Sequence, residues 1–578
     1  MSRDDDIHIR PGRVRSTNPR GVKSFVARVL AATQKAGGLH RGARGKAGSF
    51  GRGRAASLLA IRGLTSKSRS VVVKARVVRH RVKSAPLAAH LFYLRRDGVT
   101  RDGSPGKMFD VGGDEADARD FAERCQGDRH HFRFIVSPDD AAGLSDLRSF
   151  TRDLMTQMAR DLGTGVDWVA VDHWNTEHPH IHILVRGRAD DGRDLVISRD
   201  YISRGLRGRA EQLVTLELGP RSELEIRRGL ERQVEADRWT PLDQTLARQA
   251  GNNGVVDLRP SRESASDSEQ PVLVGRIRKL EKLGLAAPIG PGRWVLADEA
   301  ESTLRALGER GDIIKRIHRG LAERGIERST GDFTWNSDAR GDPIIGRLVS
   351  RGLDDELKGS AFAVVDGVDG RAHHIRFADL DATGDAAPGA VVEVRCLASR
   401  EGGSSRLVLA VRSDFSIEEQ IHATGATWLD RRLVETESMP LSEAGFGREV
   451  RSAMDTRTEH LAAEGLARRQ GQRFVFARDL LVTLRARELD EAGNRLSAQF
   501  GLPRQRTAEG ESVAGVYRQR VTLASGRFAM IDDGLGFSLV PWSPSLEREL
   551  GRHVSGVMSP GGGVEWSFGR KRGIGIGL

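Results

Sequence analysis

Residues 172–186 place four of the chain's 16 histidines, His173, His178, His180 and His182, within ten positions. His180 and His182 flank a single apolar residue and lead into Ile183, Leu184 and Val185. That alternation predicts a β-strand over 180–185, with both imidazoles leaving the same face. His173 follows the apolar run 168–171, which predicts a neighbouring strand. Two adjacent strands joined by a short turn could bring three neutral imidazoles around one divalent metal. His178, just before Pro179, breaks the alternation and reads as a loop residue. A three-histidine set leaves coordination positions open, so it could activate water or polarise a phosphate oxygen.

A second residue type decides between those chemistries. The chain has three tyrosines, Tyr93, Tyr201 and Tyr517. Tyr93 lies near the end of a short helix predicted over 88–95, beside Arg95 and Arg96. A phenol next to a metal-bound phosphodiester can attack phosphorus and form a covalent phosphotyrosine. Arg95 and Arg96 could offset the charge that develops there. Taken alone, Tyr93 could equally be a half-buried aromatic. Tyr201 is a reserve nucleophile, or a residue that packs its own helix.

The elements that must hold these groups can be read from periodicity. Strands are expected over 71–78, 131–136, 168–171 and 180–185. Helices are expected over 114–125, 139–162 and 200–218, the second ending at Gly163. This order predicts one α+β domain built on an antiparallel sheet. At 578 residues the chain is too long for a single core. No apolar run approaches a membrane span, so no membrane association is expected. The two cysteines, Cys125 and Cys396, cannot build a disulfide framework or a thiolate zinc site, which points to a reducing cytoplasm.

Charge is unevenly placed. Residues 1–83 hold 21 Lys/Arg and three Asp, whereas the rest of the chain holds 70 basic and 76 acidic residues. The densest Gly/Arg-rich part, 41–54, carries Arg41, Arg44, Lys46, Arg52 and Arg54. Such a segment buries too little apolar surface to fold alone. It suits phosphate backbones through counterion release, and those five residues are candidate DNA contacts. The alternative is a solvated tail.

Beyond residue 240 the sequence repeats. Segments 283–286, 292–297 and 303–306 recur as 464–467, 471–477 and 483–486. Each copy reads as helix, tight turn, short hairpin and helix, the outline of a winged helix-turn-helix. Residues 359–366 likewise resemble 525–532, both in turn-rich stretches that suit small β-barrels. A winged helix can dock DNA or protein, and both readings stay open. His373 and His374 have no third ligand nearby and read as surface histidines.

Leu91 to Gly98, with Tyr93, Leu94, Arg96 and Gly98 at the key spacings, resemble motif I of the MOB-P-type relaxases. These conjugative nickases belong to the HUH endonucleases and include the T-DNA border endonuclease. His173, His180 and His182 resemble their motif III, and Ser137 maps onto motif II. The resemblance spans roughly residues 70–220. It implies that Tyr93 is the nucleophile and that the three histidines bind a divalent metal, Mg or Mn. Ser137 becomes a DNA contact, or alternatively a helix N-cap. Two positions depart from the family pattern: Asn175 stands where Asp is usual, and Arg186 where Asn is frequent. An acidic partner would orient a ligand imidazole, and Asp172 or Glu177 could substitute for it.

The resulting expectation is a basic, largely disordered arm over 1–70 and an antiparallel-sheet HUH relaxase domain over 71–235. Winged-helix-like parts follow over 236–330 and 416–500. Small barrel-like parts follow over 331–415 and 501–578, the last including the C-terminal tail. The implied partners are single-stranded or supercoiled DNA at an origin of transfer, accessory relaxosome proteins and a type IV secretion coupling protein. The implied location is the bacterial cytoplasm, with export attached to DNA. The rival readings are a rolling-circle replication initiator, a hydrolytic metal-dependent nuclease, and a non-catalytic winged-helix DNA-binding protein.

Overall fold

A computed structural model describes residues 51–62, 64–80, 87–95, 100, 106–174, 179–259, 270–335, 339, 342–397, 405–436, 439–560 and 562–568. Arg41, Arg44, Lys46, Arg96, Asn175 and Glu177 lie outside the described residues, and Tyr93 is described by its backbone. The chain is of mixed α+β class with several antiparallel sheets. It forms two compact units, Met1–Ala236 with Thr240–Ala297, and Asp237–Trp239 with Asp298–Leu578. Among the described residues no helix is long and apolar enough to cross a membrane.

The first unit runs through α1 (Arg54–Arg62), β1 (Val71–Arg79), α2 (Leu87–Leu94), α3 (Ala118–Arg124) and β2 (His130–Pro138). It continues with α4 (Leu147–Leu162), β3 (Val166–His173), β4 (His180–Ala189) and α5 (Leu206–Leu218). The four strands make one antiparallel sheet in the order β1-β2-β4-β3. Apolar residues alternate along it, so both faces bury. Phe132, Phe134, Ile181 and Ile183 face one way and pack with Leu154, Met158 and Leu213 of α4 and α5. Val169, Val171 and Leu184 face the other way, against Leu91 and Leu94 of α2 and Phe121 of α3.

Two expectations change here. The helix predicted over 139–162 begins only at Leu147, because Asp146 is its N-cap and accepts from the amides of Arg148 and Ser149. Ser137 is therefore not a cap. The basic arm also does not extend to residue 70 as one irregular stretch. Arg52 makes a parallel bridge to Ile197, and α1 buries Ser57 and Ala60. Gly51, at the described end of the Gly/Arg-rich segment, allows a close backbone approach. Gly51 has φ +77°, and a Cβ there would sit 2.6 Å from the Ser198 nitrogen, so only glycine allows this approach.

The first unit ends with α6 (Glu223–Glu235), α7 (Pro241–Ala250), β5 (Val255–Asp257), α8 (Gln270–Lys282), β6 (Ala286–Gly290) and β7 (Arg293–Leu296). The last three strands form a sheet in the order β5-β7-β6. Arg276 of α8 is fully buried there and bonds both Asp243 oxygens, at 2.7 and 2.9 Å. Its remaining donors reach the carbonyls of Val234 and Ala236.

The second unit begins with the long helix α9 (Ala300–Ala322), whose Ile313, Ile317 and Leu321 pack on Phe333, Val349 and Val364. A six-stranded sheet follows, built from β8 (Phe333–Trp335), β9 (Ile344–Asp355), β10 (Ser360–Gly367), β11 (Ala372–Phe377), β12 (Val391–Leu397) and β13 (Arg406–Ser413). Then come α10 (Ile417–Ile421), α11 (Trp428–Val434), α12 (Gly445–Ala463), the hairpin of β14 (Ala467–Gln470) and β15 (Arg473–Phe476), and α13 (Leu480–Phe500). A second six-stranded sheet, β16 (Arg504–Gln505), β17 (Ser512–Leu523), β18 (Gly526–Asp532), β19 (Phe537–Pro541), β20 (His553–Met558) and β21 (Val564–Ser567), closes the described chain. Arg457 of α12 is buried like Arg276. It bonds both oxygens of Asp430 at 2.9 Å and reaches the carbonyls of Ile421, Ala423 and Gly425.

Candidate functional site

The register of β3 and β4 brings the histidines together. His173 lies directly opposite His180, and Val171 lies opposite His182. Cross-strand partners share a face, so all three imidazoles project from the α2 side of the sheet. Their ring centroids are 4.4 to 5.4 Å apart, and each ring offers a nitrogen within 4.8 Å of the others. All three are buried.

The Nε2 atoms of His180 and His182 are 3.1 Å apart. Two imidazole nitrogens this close share either a proton or a cation. Ligand nitrogens at about 2.05 Å from one ion would be separated by about 2.9 Å in octahedral and about 3.3 Å in tetrahedral geometry. The donor set therefore fits a divalent ion. His173 adds a constraint of its own. Its Nε2–H donates to the Leu94 carbonyl at 2.9 Å, which leaves the lone pair on Nδ1. That bond also sets the end of α2, the helix that carries Tyr93, against the cluster. Leu91 and Leu94, fully buried on either side of Tyr93, hold α2 on the sheet.

The partner that orients His173 is thus a backbone carbonyl. Asp172 points to the opposite face, as strand alternation requires. Its Oδ1 accepts from Arg148 Nε at 3.1 Å and its Oδ2 from Trp174 Nε1 at 2.8 Å. It ties β3 to α4 and does not meet the histidines. Ser137 donates to the carbonyl of Pro179 at 3.3 Å, bracing the residue that leads into His180. Arg95 is exposed in the turn after α2. Arg186 lies beyond Leu184 at the far end of the core, where it and Arg188 clasp the buried carboxylate of Asp128.

The two described arginines of the basic segment also have internal partners. Arg52 reaches Asp191 at 3.2 Å and the carbonyl of Gly163, at the C-terminus of α4. Arg54 lies 3.7 Å from Asp200 and is largely exposed. Tyr201 is fully buried and donates to Asp161 at 3.0 Å; burial and that carboxylate push its phenol well above the usual range. It is no nucleophile.

A basic strip outside the recognised motifs lies on the same face. Lys74 pairs with Ile135 and Arg76 with Arg133, while Ile135 pairs with His182, so these side chains share the histidine face of β1 and β2. Lys74 and Arg76 are exposed. Burial and the nearby Arg76 pull the Arg133 guanidinium down to about 10. The signal was present in the sequence, since Lys74 and Arg76 alternate with the apolar residues Val73, Ala75 and Val77.

Two segments of the chain, 273–405 and 397–575, match the model of a family described as Protein of unknown function (DUF3363). Neither includes the histidine cluster. No curated protein and no solved structure matches the chain.

Proposed function

The chain belongs to the family Protein of unknown function (DUF3363), and we propose that its first unit is the catalytic part of a conjugative relaxase. The observation that carries this reading is the meeting of three buried imidazoles on one sheet face with the helix of Tyr93. We read the sheet as an HUH fold with its paired histidines on β4. The segments around Arg276 and Arg457, with their recurring arginine–carboxylate clasp, are read as a duplicated winged helix. The two six-stranded sheets are read as the barrel-like partners of these modules.

In this reading, single-stranded DNA from an origin of transfer lies along the basic strip of β1 and β2. Tyr93 attacks the scissile phosphorus and forms a tyrosyl–phosphate ester. The bond from phosphorus to the 3′ oxygen breaks, and the 3′-hydroxyl leaves with a proton. The 5′ end stays on Tyr93. One ester replaces another, so the same site rejoins ends by the reverse step without ATP. His173, His180 and His182 would hold Mg or Mn, which supplies Lewis-acid polarisation of a phosphate oxygen when bound. Arg95 and Arg96 lie in the segment that follows Tyr93 and would balance charge at phosphorus. The partners consistent with this activity are origin DNA, accessory relaxosome proteins and a secretion coupling protein, met in the bacterial cytoplasm.

The test incubates the protein with single-stranded origin DNA and Mn²⁺, then looks for a denaturation-resistant protein–DNA adduct. Wild type is expected to form the adduct, and Tyr93→Phe to form none. The His180→Ala/His182→Ala variant is expected to lose at least a hundredfold in rate. Cleavage without an adduct would replace this reading with a hydrolytic nuclease. An adduct that survives Tyr93→Phe would reject the assigned nucleophile. Binding without cleavage would favour a non-catalytic DNA-binding protein. An adduct-forming protein that fails to support mobilisation would instead be a rolling-circle initiator.

A further inference from the structure

We propose that the hairpin β14–β15 of the second unit docks on the phosphate backbone of duplex DNA. This does not rest on the nickase reading, since it concerns other residues and another form of DNA. Four arginines lie within eleven residues here, Arg468, Arg469, Arg473 and Arg478, and all are exposed. Among the described residues none of them meets a carboxylate; Arg469 has only the ring of Phe474, 5.8 Å away. Several other arginines of the same unit are neutralised by carboxylates. Arg457 is clasped by Asp430, Arg328 and Arg347 share Asp366, and Arg527 bridges Asp385 and Asp414. Positive charge left uncompensated on one short element calls for an anion from outside.

The shape of the element narrows the choice. Arg468 pairs with Val475 and Gln470 with Arg473, so these four side chains form one outward face. Phe474 and Phe476 turn the other way, into a core with Leu461, Leu466 and Leu484. The face that carries Arg468 and Arg473 therefore presents no aromatic ring for base stacking, which single-stranded nucleic acid would use. The exposed apolar content is Val475 alone, too little to anchor a protein interface. The ribbon has two strands with both outer edges unpaired, and its tip turns at Gly471 with φ +66°. A two-stranded ribbon of this kind fits the major groove, with its arginines reaching the flanking phosphates. Asp455 and Glu459 of α12 line the same hollow as Arg473 and the partly buried Phe474 and Phe476, and mark where the anionic footprint stops.

The hairpin β6–β7 of the first unit lacks these features. A third strand, β5, covers one of its edges, and its exposed side chains include Ile289 and Val295. Asp257 beside it is held low mainly by Arg259, with Arg293 of the hairpin adding to the effect. The charge is thus particular to the second hairpin.

The test measures anisotropy of full-length protein with a 24-base-pair duplex of arbitrary sequence and with oligo(dT) of the same length, across a salt series. For Arg468→Ala/Arg473→Ala, the two arginines of the outward face, the slope of log affinity against log salt on duplex should fall by up to about 1.8, at about 0.9 for each phosphate left unneutralised. Binding to oligo(dT) should not change. The corresponding double lysine variant should keep the wild-type slope, which separates charge from any effect on folding. An unchanged duplex slope in the alanine variant would overturn the proposal. So would an equal loss on oligo(dT), or a lysine variant that behaves like the alanine one.

Discussion

A buried imidazole shows how far one residue's chemistry depends on its surroundings. His131 accepts from Arg133 Nε at 3.0 Å through Nε2 and faces His80 Nε2 at 2.7 Å through Nδ1. Burial, then Arg133, His80 and His130, pull it from 6.5 down to about 3. A second proton would point at a guanidinium. The unfolded chain therefore binds that proton first as pH falls, so the stabilisation is complete above about pH 6.5 and is lost toward pH 3. Thermal melts between pH 7 and 4 should show a shallower acid loss for His131→Asn than for wild type. Equal slopes would mean that His131 binds its proton in the fold as readily as in the unfolded chain. The catalytic candidates behave differently at this scale, since three histidines and a tyrosine were legible as chemistry from type and spacing. The partner of His173 was not, because a main-chain carbonyl 79 residues away carries no side-chain signature.

At the scale of elements, the site depends on how β4 is held. Gly187 sits in β4 where a Cβ would fall 1.9 Å from the His130 carbonyl oxygen, so no side chain fits between β2 and β4. Gly187→Ala should cost about 1–3 kcal/mol or more through overpacking. It should also weaken Mn²⁺ binding, read by calorimetry, because the shifted strand carries two of the three imidazoles. Retained affinity with lowered stability would separate the histidine pair from that part of the strand. The helical modules depend on their buried clasps. Arg276→Ala leaves Asp243 charged and enclosed and should cost about 3–5 kcal/mol in denaturant unfolding, as should Arg457→Ala beside Asp430. A loss under about 1 kcal/mol would mean that water reaches the carboxylate. Periodicity gave the strands closely, but the start of α4 was misplaced. A 3-10 turn at Ala141–Gly143 and the cap at Asp146 compete locally with a helix that apolar spacing alone would extend.

At the scale of the whole chain, charge is segregated from chemistry. Residues 1–50 hold 11 Lys/Arg and three Asp and precede the sheet that carries the histidines. Deleting them should lower the salt slope for oligo(dT), by about 0.7 for each single-strand phosphate that they neutralise. Adduct formation at low salt should persist. An unchanged slope would make this segment a solubilising tail, with the strand held by Lys74, Arg76 and Arg133 alone. Composition could locate the excess charge but not its employment. Arg52 was grouped with the DNA contacts by its Gly/Arg setting, yet it closes on Asp191 and the end of α4.

The sequence by itself determined which residues could do chemistry and on which kind of element they lie. Strand alternation fixes that His180 and His182 share a face, and a two-residue period needs no tertiary information. Tertiary structure decided everything that depends on register across the sheet. It set His173 opposite His180, turned Asp172 away to Arg148, and brought Leu94 to the third imidazole. Those pairings join residues far apart in the chain, and their energies come from packing a shared core, which no local pattern records.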